Sequence, residues 1–227
     1  MAATLATAAT EARAGTTDLV VHCDPPLAGP WHAIAAAFLA GTGVRARVFP
    51  TMPNAIPAQL AREIQNDIVV TQPEVLARIA AAGLLTDIPT SARWRDRIVL
   101  AAARGVRHKA IGDATLAVTD PVWGGGPDGP AILAAADLRP GKIVGTYDTA
   151  EARALVVSGE ANYALLHATE LGTELESVDT PGLTAERIAV AAVTKSTRRP
   201  NPEALMRFLA TQEAATILRN AGLEVMS

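Results

Sequence analysis

The stretch LAVTDPVWGGGPDGPAIL, Leu116 to Leu133, spaces Gly124, Gly126 and Gly129 as G-x-G-x-x-G. Glycine lets backbone N–H groups approach a ligand closely, so this spacing could cradle a phosphate or another anion. A dinucleotide fold needs the first glycine directly after a strand, so that the next helix aims its N-terminus at a pyrophosphate. Here Thr119 to Trp123 intervene, and Asp128 places a carboxylate inside the loop, although Asp148 follows at a distance suited to a ribose. Three readings stand side by side: a dinucleotide loop, a plain turn, and one wall of a different ligand site. In the last, Trp123, Gly124 and Gly125 are the contacts, and the helix that begins near Pro130 adds a field favourable to an anion.

Other reactive residues are sparse. There is no G-x-S-x-G elbow, no P-loop lysine and no H-E-x-x-H. His22, Cys23 and Asp24 are adjacent, but neighbours on a strand point to opposite faces, so at most two of them converge. They read better as a strand end lining a cleft than as a metal set. A Cys23/His167 nucleophile pair has no local support, so no catalytic residue, metal or cofactor is expected. The single cysteine excludes an internal disulfide. With a net charge of −3 the chain lacks the basic stripe that nucleic acid requires. The basic run Arg104, Arg107, His108 and Lys109 is placed at a cleft edge, where it would meet carboxylates.

These residues need elements to hold them. From Asp18 onward, short apolar strands alternate with amphipathic helices. Strands are expected at Asp18–Cys23, Val44–Phe49, Asp67–Val70, Ile98–Ala103, Leu116–Val118, Ile143–Tyr147, Tyr163–Leu166 and Ile188–Val193. Helices are expected at Pro30–Ala40, Pro57–Gln65, Pro73–Ala82, Pro130–Ala136, Thr149–Ser158, Pro202–Leu209 and Gln212–Asn220. This alternation predicts an α/β fold with a mostly parallel sheet flanked by helices. Trp31 shares a helix face with Ile34 and Phe38 and reads as core. Trp94, inside ARWRDR, reads as a seam or hinge residue with arginine stacked on it. The turn-rich ARGVRHKAIGDA and DTPGLTAE are the seams. They divide the chain into residues 16–103 with 187–227, one lobe, and residues 104–186, the other. No segment is long and apolar enough to span a bilayer. The leading MAATLATAATEARAG, residues 1–15, ends in Ala12-Arg13-Ala14, an A-x-A pattern. It reads as the remnant of a secretory signal peptide, or else as a low-complexity tail on a cytosolic protein.

Four segments together resemble the periplasmic molybdate-binding proteins, and more broadly the type II solute-binding proteins of ABC importers. LVVHCDPPLAGPWHAIAAAFLAGTGVRARVFP is similar to the family's first strand, ligand loop and first helix. QLAREIQNDIVVTQPEVLARIAAAGLL resembles its helix–strand–helix. LAVTDPVWGGGPDGPAIL resembles the L-A-x-x-D-P strand and loop of the second lobe. AVAAVTKSTRRPNPEALMRFLATQEAATILRNAGLEV resembles the return strand and C-terminal helices. The resemblance implies two α/β lobes with a cleft between them, closing on a ligand by a hinge. In an open α/β sheet such a site lies beyond the strand C-termini, here after Val21, Phe49, Val70, Val118, Gly145 and Leu166. It also implies an exported, periplasmic, monomeric, non-enzymatic protein that delivers a small ligand to membrane permease subunits.

The chain departs from that family where the oxyanion is held. The first-loop serine falls on Pro26, the second-loop serines near Pro57 and Ala58, and the second-lobe tyrosine on His167. Proline offers no N–H, and each lost partner of a buried oxyanion costs roughly 1–3 kcal/mol. Thr71 and Thr149 remain as hydroxyl donors. The expected ligand is therefore a planar anionic organic molecule, of quinone or polycarboxylate type, stacked on Trp123. Met52 and Asn54 would form a soft wall, with Tyr147 and His167 as hydrogen-bonding partners. Cys23, Asp24 and Pro26 would line the first strand's end. Molybdate or tungstate binding, a cytosolic dinucleotide-binding α/β enzyme, and a cleft turned into a docking surface are the rival readings.

Overall fold

A computed structural model describes residues 18–62, 66–87, 92–120, 126–195 and 202–226. The α/β alternation expected from the sequence is present. Strand β1 (Leu19–Cys23) lies between β2 (Ala46–Pro50) and β3 (Ile68–Thr71), parallel to both. All five of its residues are buried, as expected for a strand covered on both faces. On β2 burial alternates, with Ala46 and Val48 inward and Arg47 outward, 3.2 Å from Asp18. Helix α1 (Ala28–Thr42) buries Trp31, Ile34, Ala35 and Phe38 and ends at Gly43, whose φ of 72° suits glycine. Helices α2 (Ile56–Ala61) and α3 (Pro73–Ala81) follow, α3 opening on a proline whose missing N–H costs nothing there.

The eleven-residue β4 (Arg93–Ala103) is shared by both halves of the sheet. Its first part, Arg93–Arg97, pairs antiparallel with β9 (Glu186–Val193), and Arg93–Asp96 pairs with β10 (Leu223–Met226). From Ile98 onward it pairs instead with β7 (Tyr163–His167) and then β8 (Leu175–Val178). At the changeover the Ile98 N–H donates to the Ala185 carbonyl at 2.9 Å. The two chain crossings are thus bonded to each other. In the second half β5 (Thr115–Thr119) runs parallel to β6 (Lys142–Thr146) and β7. Helices α4 (Gly129–Ala135) and α5 (Thr149–Ser158) belong to this half. The chain ends with α6 (Pro202–Leu209), α7 (Gln212–Asn220) and β10. The strand order is β2-β1-β3-β9-β4-β7-β5-β6.

Each half carries apolar clusters that follow the strand alternation. On β4, Ile98, Leu100 and Ala102 enter one cluster with Leu116, Val118 and Leu165, while Ala101 enters another with Ala117, Val156 and Leu166. In the first half the larger cluster joins Leu19, Val21, Trp31, Phe38, Leu205 and Leu218.

Trp94 belongs to that cluster, which corrects its reading as an arginine-stacked seam residue. It is 1% exposed and meets Trp31 edge-to-face, with centroids 5.8 Å apart at 84°. The three arginines around it point the other way, because Arg93, Arg95 and Arg97 alternate with Trp94 and Asp96 along a strand. The strands β8 and β10 and the first part of β4 were not anticipated. Among the described residues no helix is long and apolar enough to cross a membrane.

Candidate functional site

A cleft of ≈520 Å3 opens where the two halves meet. Gln72 and Glu74, at the start of α3, line it from the first half. Gly126, Asp128, Ile132 and His167 line it from the second, and Ile98 and Arg187 come from the crossing strands. The residues after β3, after β5 and at the end of β7 are therefore in it, at the carboxyl ends of parallel strands.

The strand register explains why the crossing residues share a face. Asp96 lies opposite Arg187, and Ile98 opposite His167. Directly opposed residues project to the same side, and so do Asp96 and Ile98, two apart on one strand. Two polar networks result. In the first, fully buried Asp24 accepts from the Thr71 hydroxyl at 2.7 Å and from the Arg187 guanidinium. The Gln72 amide oxygen, turned toward the same guanidinium, lies 3.1 Å from Nη2 and 3.3 Å from Nε. Burial pushes Arg187 down to about 10, which leaves it charged at neutral pH.

The second network lies across β4. His167 Nδ1 is 3.2 Å from Asp96 Oδ2, and that oxygen accepts from the Thr169 hydroxyl at 3.0 Å. The His167 backbone N–H donates to Glu170 Oε2 at 3.0 Å, and the Thr149 hydroxyl donates to the other oxygen of that carboxylate. Burial pushes the Glu170 carboxyl up, against the opposing pull of His167 and of these hydrogen bonds. His167 is 2% exposed, and its Nε2 has no hydrogen-bond partner among the described residues. An unpaired nitrogen that deep is costly, and it belongs to a side chain that lines the cleft.

The residues named from sequence are distributed as follows. His167 lines the cleft. Asp24 and Thr71 stand behind Arg187 and hold it, and Thr149 holds Glu170. The two threonine hydroxyls are thus spent on internal carboxylates rather than offered to a ligand. Cys23 and Pro26 are buried, Met52 is half-buried, and Asn54 and Tyr147 are exposed. None of these five is part of the cleft lining. Trp123, Gly124 and Gly125 lie outside the described residues, as does the leading segment 1–15. Arg107, His108 and Lys109 are not at this cleft. They sit beyond the far end of β4, beside Tyr163 and Val157, and Arg104 donates to the Thr173 and Leu175 carbonyls.

The thiol of Cys23 packs in the core of the first half. Burial raises it to about 12, although Arg187 pulls the other way. A folded value raised above the ordinary 9.0 favours the protonated thiol. Its contribution to stability is complete below pH 9.0 and is lost as pH climbs through about 12. Native protein at pH 8 should therefore resist a thiol reagent that labels it at once in denaturant. Rapid labelling of the native state would show that Cys23 is reachable.

Two of the three patterned glycines have a packing reason. A Cβ on Gly129 would stand 1.8 Å from Val118 Cγ1, and one on Gly126 2.6 Å from Thr119 Cβ. The chain presses against the end of β5 at both points. Gly129→Ala should cost about 1–3 kcal/mol by overpacking. Thermal melts should show the loss, and most of the added penalty should vanish in a Val118→Ala background. The N-terminus of α4 is already taken, since Asp128 Oδ1 accepts from the Ala131 N–H at 3.2 Å. Asp148 likewise caps α5 through Glu151 N–H at 2.8 Å. A pyrophosphate would meet a carboxylate at α4, which removes the physical basis of the dinucleotide reading.

Arg187, Gln72, Asp96 and Glu170 were not singled out from sequence. Arg187 leaves one visible mark, a charge just inside the apolar strand ERIAVAAV.

Residues 19–224 match the family described as bacterial extracellular solute-binding protein. Three solved structures share the fold. They are the periplasmic molybdate-binding protein of Azotobacter vinelandii (TM-score 0.71, 15% identity, 92% of this chain and 100% of that one), the sulfate-binding protein SubI of Mycobacterium tuberculosis (0.69, 18%, 92% and 86%), and PEB3 with L-phospholactate bound (0.64, 13%, 91% and 99%), a protein of Campylobacter jejuni. At such identities the likeness establishes the two-lobed, type II architecture alone. No curated protein matches the chain significantly by sequence.

Proposed function

The chain belongs to the bacterial extracellular solute-binding proteins, and from that premise we propose that it works in the periplasm as the capture subunit of an ABC importer. It takes a small anionic organic molecule between its lobes, closes, and presents the closed monomer to the permease subunits. The proposed lobes are residues 16–103 with 187–227, and residues 104–186, with Ile98–Ala103 of β4 carrying the first crossing into the second half's sheet. The change of strand partners between Arg97 and Ile98 and the bond from Ile98 to Ala185 support a hinge on the crossing strands.

The observation that carries the ligand's charge is Arg187. Its side chain is 13% exposed, clamped by Asp24 and Gln72, and faces the cleft beside His167, whose Nε2 has no partner among the described residues. A preorganised guanidinium of this kind suits a carboxylate or phosphate. With the basic run from Arg107 to Lys109 elsewhere, guanidinium and imidazole together support one acid group rather than several. The planar, quinone-like form of the ligand rests on stacking against Trp123.

A molybdate- or tungstate-type oxyanion is the second reading, favoured by the fold shared with the Azotobacter protein. The committed hydroxyls of Thr71 and Thr149 weigh against it. A thermal-shift comparison of organic acids with molybdate, tungstate and sulfate separates the two. At a hundred times Kd a true ligand adds about 2.7 kcal/mol. The organic-acid shift should appear in the native chain and shrink in His167→Gln. A shift with molybdate or tungstate alone would overturn the organic reading. Full affinity in Trp123→Ala would remove the stacked form.

A further inference from the structure

We infer that the ligand is an amino-acid-like zwitterion, its acid group on Arg187 and His167 and its ammonium on the carboxylates that line the same cleft. The inference rests on capture of an acid-bearing ligand at this cleft, and adds what the rest of that ligand must carry. Arg187 is the only cation among the described lining residues, and Asp24 already balances it. Three carboxylates line the cleft with it. Glu186 is compensated by Arg95 at 2.8 Å. Glu74 and Asp128 stand on opposite walls, exposed, with no ion pair among the described residues. Each also serves its own helix, Glu74 in the first turn of α3 and Asp128 as the cap of α4. Those roles explain their presence on two helices, but they leave both charges facing one cleft.

The buried groups point the same way. Among the described residues His167 Nε2 lacks a partner, and beside the ring the fully buried Asp96 has an oxygen, Oδ1, that accepts no hydrogen bond. The cleft wall therefore holds an unused imidazole nitrogen, with the Asp96 carboxylate behind the ring at its Nδ1 side. A bare dianion would leave Glu74 and Asp128 uncompensated and would have to pass between them to reach Arg187. A molecule with an acid and an ammonium on neighbouring atoms answers both, and closure would bring Glu74 and Asp128 toward its positive end instead of toward each other.

The test is calorimetry on the full chain with the common α-amino acids, the carboxylic acid that lacks each one's ammonium, and molybdate. At least one amino acid should bind, and its deaminated partner should bind about tenfold more weakly, the worth of two exposed ion pairs. The double variant Glu74→Gln/Asp128→Asn, changed at exposed positions only, should close most of that gap by weakening the amino acid and sparing the plain acid. Binding of plain acids or molybdate without any amino acid would overturn the zwitterion and leave capture of an anion standing. An unchanged gap in the double variant would also overturn the assignment to these carboxylates. Binding of no member of any class would overturn both.

Discussion

Replacing Arg187 with methionine is expected to abolish ligand capture and to lower stability by about 3–5 kcal/mol, the usual result of breaking a buried ion pair from one side. Asp24 is fully buried and holds only the Thr71 hydroxyl once the guanidinium is gone. Its charge would then lack its main compensation in a region of low polarity. Removing both charges is a different experiment. In Asp24→Asn/Arg187→Met the stranded carboxylate is absent, so much of the stability should return. Capture should not return, because the cation that faces the cleft is still missing. Urea unfolding and ligand titration on the three variants separate these effects. If the double variant bound ligand like the native chain, Arg187 would be only a structural strut. If the single variant were as stable as the native chain, the Asp24–Arg187 pair would not be the buried clamp described above.

The architecture was legible because its elements obey strong local rules. Pro73 and Pro202 open helices, and Gly43 and Gly159 close them in left-handed conformations. Tyr163–Leu166 and Ile188–Val193 are apolar runs bounded by turns, and a buried strand leaves that trace. The short edges were harder. In LESV and LEVM only the first position is fully buried, so neither shows the apolar run or clean alternation that marks a strand. The site was only half legible, for a related reason. A resemblance points to loops after strands, and it led to His167, Asp24 and Thr71. Arg187 and Asp96 come together through the antiparallel register of β9 on β4, a pairing across ninety-one positions of sequence (187 minus 96) that no local pattern encodes. The basic run Arg104–Lys109 misled because composition does not say which end of a strand a loop occupies.

The tryptophan in RWRDR carries the second large effect. Trp94→Ala should destabilise the protein by about 3–5 kcal/mol, the cost of emptying a large aromatic site in a core, and lower Tm by roughly 10 °C for a chain of this size. The side chain sits under α1 against Trp31, with Ala189 of β9 as its paired neighbour on the sheet, so the void would open between the helix and the shared strand. A hinge tryptophan stacked by arginine would behave otherwise. Its loss would leave Tm nearly unchanged and would alter ligand affinity instead. Measured well below the melt, affinity in Trp94→Ala should stay near native, because the void opens under α1 against Trp31 and Trp94 does not line the cleft. The pair offers an internal check. Residues in contact lose the same interaction twice when replaced singly, so Trp31→Ala and Trp94→Ala together should cost less than their sum. The shortfall should be about 0.5–1.5 kcal/mol, the worth of an edge-to-face aromatic pair beyond its burial. Strict additivity would mean that the two rings are energetically independent, and that β4 is held to α1 by the aliphatic packing around them.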